Sequence, residues 1–129
     1  MLKPSIIFAV GLNGALAVAL GAFGAHALKP RLLETGMLSA WETAAQYHLS
    51  HAVACLGLIA WAAAQPSRAQ KLLWPVIFWL LGCVFFAGSL YWMALGGPRF
   101  LGPITPVGGV FLMLAWGLVA KEAFSQAAR

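Results

Sequence analysis

The sequence contains no aspartate and only three glutamates, Glu34, Glu42 and Glu122. Charged residues of both signs make up 9% of the chain, against roughly 25% in a soluble domain. That shortage excludes an ordinary water-soluble globule, which needs charge to cover its surface. Eight Lys and Arg leave a net charge of +5. They are scattered, with no basic stripe to track phosphates, so nucleic acid is not expected as a partner. Cysteine is also scarce. Cys55 and Cys83 each sit inside an apolar run, and two are too few for a disulfide scaffold. Their ordinary role there is as small buried hydrophobes, so no bridge is expected. Finally, there is no glycine loop of the phosphate-binding type and no nucleophile set beside a base. No enzyme chemistry and no cofactor are expected.

What the chain does have is apolar length. Its 129 residues are 62% hydrophobic, with a mean hydropathy of +0.86, and that length suits a single domain, 1–129. About 20 apolar residues in a helix cross a bilayer. Four stretches qualify, at about 5–28, 44–64, 72–95 and 106–123. The predicted fold is all-α, an integral membrane bundle of four transmembrane helices. Lys3 and Ala25-His26-Ala27 resemble the ends of a signal peptide, but the apolar run between them is too long for one, so it reads as a true span.

Four spans place both termini on one side, with Lys3, Arg68, Lys71, Lys121 and Arg129. The other side holds Lys29, Arg31 and Arg99. Five against three predicts cytoplasmic termini by the positive-inside rule. Lys29-Pro30 is read as the stop of the first helix, Gly96-Gly97-Pro98 as the end of the third, and Thr105-Pro106 as cap and first position of the fourth. Pro75 falls in the first turn of the third, where a missing N–H does little harm. Aromatic belts are expected from Trp41, Tyr47, Tyr91 and Trp92 outside, and from Trp61 and Trp74 inside.

Lipid provides little hydrophobic drive between helices, so small residues that allow close approach carry association. In the first span Gly11, Ala15 and Ala19 repeat every four residues, as do Ala17, Gly21 and Ala25. They pack either within the bundle or against another copy or another protein. Asn13, the one strongly polar side chain deep in that span, is expected to bond a neighbouring helix.

The polar residues concentrate in "SAWETAAQYHLSHAVACLGLIAW", 39–61. Ser39 and Glu42 match the capping box, which predicts a helix start near residue 40. Glu42, Gln46 and Ser50 then share one face, and Tyr47, His51 and Cys55 another, with His48 beside them. Glu42, His26 and at least one of His48 and His51 are expected to form one hydrogen-bonded cluster at the outer mouth, with Gln46 and Tyr47 close by. Histidines near a membrane interface more often bond backbone or water. A metal site, if there is one, draws on His26, His48 and His51, as zinc or copper ligands or as axial ligands to haem. A proton-linked or ligand-binding role for the histidines is the other functional option.

Taken together, "GAFGAHALK", "WETAAQYHLSHA", "FAGSLYWMALGG" and "LGPITPVGGVFLMLAW" resemble the YgdD-like family of small membrane proteins, domain of unknown function 423, which includes the animal transmembrane protein 256. The resemblance runs over nearly the whole chain. It falls on Gly21, Gly24, His26, Glu42, Gln46, Tyr47, His48, His51, Gly88, Ser89, Pro103, Thr105, Pro106 and Gly109. It implies a four-helix integral membrane protein, in the inner membrane of bacteria for bacterial members, and no enzyme activity. The expected function is therefore that of a non-enzymatic membrane protein, partnered by the bilayer and by itself or other membrane proteins. The alternatives are a small oligomeric transporter or channel, and a metal- or haem-binding membrane protein.

Overall fold

A computed structural model describes residues 3–127. Arg129, counted above for orientation, lies outside them. Every regular element among the described residues is helical. Helix α1 (Pro4–Ala25) leads through the short α2 (Lys29–Glu34) into α3 (Leu38–Ala64). A 3₁₀ turn at Pro66–Arg68 opens α4 (Ala69–Gly82). That helix passes through a π-helical stretch at Cys83–Ala87 into α5 (Gly88–Ala94) without leaving the span. After a second 3₁₀ turn, Arg99–Leu101, comes α6 (Ile104–Ala127). Four of these segments are long and apolar enough to cross a membrane: Pro4–Ala25, Leu38–Ala64, Pro66–Ala94 and Arg99–Ser125. Helix α1 packs chiefly on α3, α4 on α6, and α3 joins the two hairpins.

The helix ends depart from several sequence expectations. Lys29-Pro30 does not stop α1, which ends at Ala25; it opens α2, with Pro in the first turn. Helix α2 ends in a tight reversal at Gly36, φ +69°. There Met37 N–H bonds the Leu32 carbonyl and Gly36 N–H the Leu33 carbonyl, the paired bonds of a Schellman turn. The chain enters α3 directly from that reversal, so the helix starts at Leu38, with no side-chain cap. Ser39 is already inside the first turn, and the capping box does not form. The stop at Gly96-Gly97-Pro98 is as expected. Gly96 has φ +93°, and Gly97 N–H returns to the Trp92 carbonyl at 2.9 Å.

Two further starts move. Helix α4 begins at Ala69, so Pro75 lies inside it and is buried rather than in its first turn. Thr105 is the second residue of α6, not its cap. Its hydroxyl is instead 2.6 Å from that of Ser89, which links α6 to α5.

Two apolar clusters fill the bundle. One, at the α2 end, gathers Leu32, Trp41, Ala44, Ala87, Tyr91 and Ala94. Trp41 is only 2% exposed, lies against Tyr91 with ring centroids 4.6 Å apart, and donates its indole N–H to the Leu20 carbonyl. Trp41 and Tyr91 are thus core residues, not the interfacial belt anticipated for them. The reason is Gly24: a Cβ there would lie 2.1 Å from the Trp41 ring nitrogen, so the missing side chain is the space Trp41 occupies. Trp92 and Trp74 are exposed, as a belt requires. The other, toward the termini, is built on Val10, Cys55, Leu58, Leu72, Val76, Trp79 and Leu112. Cys55 and Cys83 are both free and buried.

Candidate functional site

Between the two apolar clusters lies a polar layer. Asn13 sits midway along α1 and His48 near the middle of α3, so the antiparallel pair brings them level. His48 Nε2 is 3.0 Å from Asn13 Oδ1, and His48 Nδ1 is 3.4 Å from the Tyr91 hydroxyl. An amide oxygen only accepts, so Nε2 carries the proton and Nδ1 accepts from Tyr91. The Asn13 amide nitrogen then points toward Cys83, 4.0 Å from its sulfur. Asn13 thus makes the interhelical bond expected of it, and the chain Cys83–Asn13–His48–Tyr91 ties α1, α3 and the third span together.

His51 is held separately. Its Nδ1 lies 2.7 Å from the Tyr47 carbonyl oxygen, and Trp116 on α6 donates its indole N–H to His51 Nε2 at 3.2 Å. A carbonyl can only accept and an indole N–H can only donate. These two partners therefore fix a neutral imidazole protonated at Nδ1. The Trp79 and Trp116 rings both meet the His51 ring edge-on. Trp79 Nε1 itself is buried without a partner.

The predicted six-residue cluster divides three ways. His48 and His51 face the interior and are buried. Tyr47 is 44% exposed, with its ring tilted against Phe86 at 4.7 Å. Glu42 and Gln46 lie exposed on the outward side of α3, and His26 is exposed at the C-terminal end of α1. No hydrogen bond among the described residues joins the His26 or Glu42 side chain to either buried histidine. Helix α3 starts at Leu38, so His48 stands ten residues in, about 15 Å along the axis. The histidines are in the middle of the bundle, not at its mouth. Among the described residues, no three of His, Cys, Asp and Glu come together in a way that could hold a metal. Both ring nitrogens of both buried histidines are engaged by protein groups in this arrangement.

Two polar features lay outside the predicted cluster. At the end of the bundle that holds the termini, Arg68 Nη1 meets Glu122 Oε1 at 2.5 Å and Ser125 Oγ at 3.2 Å. The pair bridges the start of α4 to the end of α6. Sequence spacing could not reveal a contact across 54 positions. Trp116 was equally hidden, because it sits in an apolar run like any belt or core tryptophan.

The family model described as "Protein of unknown function (DUF423)" matches residues 20–109. A UPF0382 membrane protein of Staphylococcus saprophyticus is 43% identical over 115 residues, 88% of this chain and 91% of that protein. The UPF0382 inner membrane protein YgdD of Escherichia coli is 40% identical over 120 residues, 92% and 87% of the two chains. YwdK of Bacillus subtilis, a UPF0382 membrane protein, is 38% identical over 114 residues, 87% and 89%. No solved structure matches.

Proposed function

The chain belongs to the DUF423 family of membrane proteins, and on that footing we propose that it is a non-enzymatic subunit that assembles with copies of itself in the bilayer. The observation that carries this reading is the outer face of α1. A Cβ added at Gly11, Gly14 or Gly21 would meet nothing within 4 Å. Gly11, Ala15 and Ala19 are all exposed, whereas Ala17 is buried. Of the two four-residue repeats of α1, only Ala17 is buried in the protomer; Gly21 and the Gly11-Ala15-Ala19 repeat lie on the open side. Small residues facing lipid gain nothing unless a helix approaches them.

A groove of about 380 Å³ beside these residues, between α1 and α3, is lined by Gly11, Gly14, Val18, Leu49, Val53 and Leu56 among others. On the adjoining face of α3, Glu42, Gln46 and Ser50 are exposed. Polar side chains are costly against hydrocarbon and are ordinarily turned to a partner or a polar cavity. Glutamine both donates and accepts, so two copies can satisfy each other across a two-fold axis. A reading without enzyme chemistry is supported by histidines whose ring nitrogens are all engaged and by two cysteines that are buried. A channel would have to run between copies, since Trp41, Trp79 and Tyr91 fill the protomer.

Gly14→Leu and Gly21→Leu should each weaken assembly by about tenfold or more, roughly 1.4 kcal/mol. Helix content should be unchanged, because a Cβ at either position meets nothing within 4 Å. Native mass spectrometry from a mild detergent reads the copy number. An unchanged assembly in both variants sinks the proposal.

We further propose that the termini face the cytoplasm, within an inner membrane such as the one named for the Escherichia coli relative. The Lys/Arg asymmetry supports this. A membrane-impermeant maleimide applied to intact cells should label Leu33→Cys and spare Gln70→Cys. The native cysteines are buried and should stay silent. Labelling of Gln70→Cys alone would reverse the orientation.

A further inference from the structure

The inner end of the α4–α6 pair carries an arrangement that self-assembly does not use. Two cavities lie along this seam. One, of about 480 Å³, is lined by Lys71, Trp74, Phe78, Leu118, Lys121, Ser125 and the Arg68-paired Glu122. The other, of about 440 Å³, is lined only by apolar residues. Phe78 and Leu118 line both, so the two form one trough that is basic at its mouth and apolar below.

We infer that this trough holds one anionic phospholipid, its phosphate between the Lys71 and Lys121 ammonium groups and an acyl chain laid along the apolar floor. Charge comes first. Lys71 and Lys121 are exposed, and neither has a hydrogen-bond or ion-pair partner among the described residues. Glu122, the sole acid at this end of the bundle, is taken up by Arg68 at 2.5 Å. The mouth therefore presents two uncompensated positive charges.

Length agrees. Lys121, Gly117, Leu114 and Val110 descend one face of α6 at helical spacing. The 11 positions from Lys121 to Val110 span about 16 Å, close to one leaflet of a roughly 30 Å hydrocarbon core. Trp74, one turn below Lys71, sits at the depth where indole rings favour the headgroup boundary. Gly117 leaves the floor open, since a Cβ there would meet nothing within 4 Å.

Other occupants fit less well. A helix of a second copy would bring its own lysines to the same depth, and like charges would face each other. A choline lipid would set a fixed cation against two ammonium groups.

A lysine near an anionic headgroup strengthens binding about fivefold, so the pair corresponds to about thirtyfold. The test is a lipid titration of the full chain in mild detergent, followed by native mass spectrometry. Dioleoyl phosphatidylglycerol should be retained about thirtyfold better than dioleoyl phosphatidylcholine. Lys71→Gln/Lys121→Gln should remove that preference, and Lys29→Gln, at the opposite end, should leave it intact. Gly117→Leu should lower retention of both lipids by filling the floor. Millimolar glycerol phosphate should not displace the bound lipid. Equal retention of the two lipids by the wild type would overturn the assignment, as would an unchanged preference in the double lysine variant. Displacement by glycerol phosphate would show a soluble-phosphate site instead. None of these readouts depends on the copy number of the protein.

Discussion

Gly108→Ala is expected to destabilise the bundle by about 3 kcal/mol or more, an effect at the upper end of overpacking changes. Helix α6 crosses the third span at its π-helical stretch, and the two backbones touch there. A Cβ on Gly108 would lie 2.2 Å from the Phe86 nitrogen and 2.7 Å from the Phe85 carbonyl carbon. Those are main-chain atoms, with no rotamer to turn aside, so α6 would have to move away bodily. That movement would pull Thr105 from Ser89, 2.6 Å away, and Trp116 from His51, 3.2 Å away. Gly109→Ala is the internal control. Its nearest neighbour would be the Phe86 ring at 3.8 Å, an ordinary contact, and alanine is the better helix former by about 1 kcal/mol. It should be neutral or slightly stabilising. Denaturation of the detergent-solubilised protein, followed by circular dichroism, measures both. Equal losses in the two variants would mean that backbone contact at Gly108 does not govern the packing of α6 on the π-helical stretch of the third span.

Arg68→Met is expected to cost about 2 kcal/mol. The Arg68 and Glu122 side chains are 15% and 11% exposed. Removing one partner of a fully buried pair costs about 3–5 kcal/mol, because the other charge is left unpaired. The residual exposure here, at the membrane's edge, lets water reach Glu122 and reduces that figure. The cost belongs to the orphaned carboxylate rather than to the lost bond. Arg68→Met/Glu122→Gln should therefore recover most of it and come within about 1 kcal/mol of wild type. A double-mutant cycle by the same denaturation assay decides. If the double variant loses as much as the single one, the ion pair carries net stability and the reasoning fails.

The two expectations differ in kind. At Gly108 a missing side chain lets two helices meet, and any addition is a steric error. At Arg68 the side chain neutralises a charge that another helix has brought under cover, and the remedy is to remove that charge too.

The four spans were legible in the sequence because each is a local property: a predominantly apolar run long enough to replace water with lipid around every peptide group. The stop at Gly96-Gly97 was legible for a similar reason, since a left-handed turn there needs glycine and its neighbours supply the bonds. Asn13 could be assigned to an interhelical bond because an amide at mid-membrane has few other partners. Depth and facing were not legible. The capping box placed the start of this helix near residue 40, and α3 starts at Leu38, because the Gly36 reversal feeds the chain straight into it. The start was thus nearly right, but the level of His48 was decided by its partner Asn13, midway along α1, while Glu42 and His26 stay exposed. Periodicity put Glu42, Gln46 and Ser50 on a different face of α3 from His51 and Cys55, with His48 beside the latter. Only packing decided that the first face looks outward and the second inward. The same holds for the glycines of α1. Their spacing marks surfaces suited to close approach, and the fold alone shows that Gly24 is filled by Trp41 while Gly11, Gly14 and Gly21 face no neighbour. The physical reason is one of range: transfer to lipid is summed residue by residue along a helix, whereas the partner of a side chain is set by contacts between residues tens of positions apart.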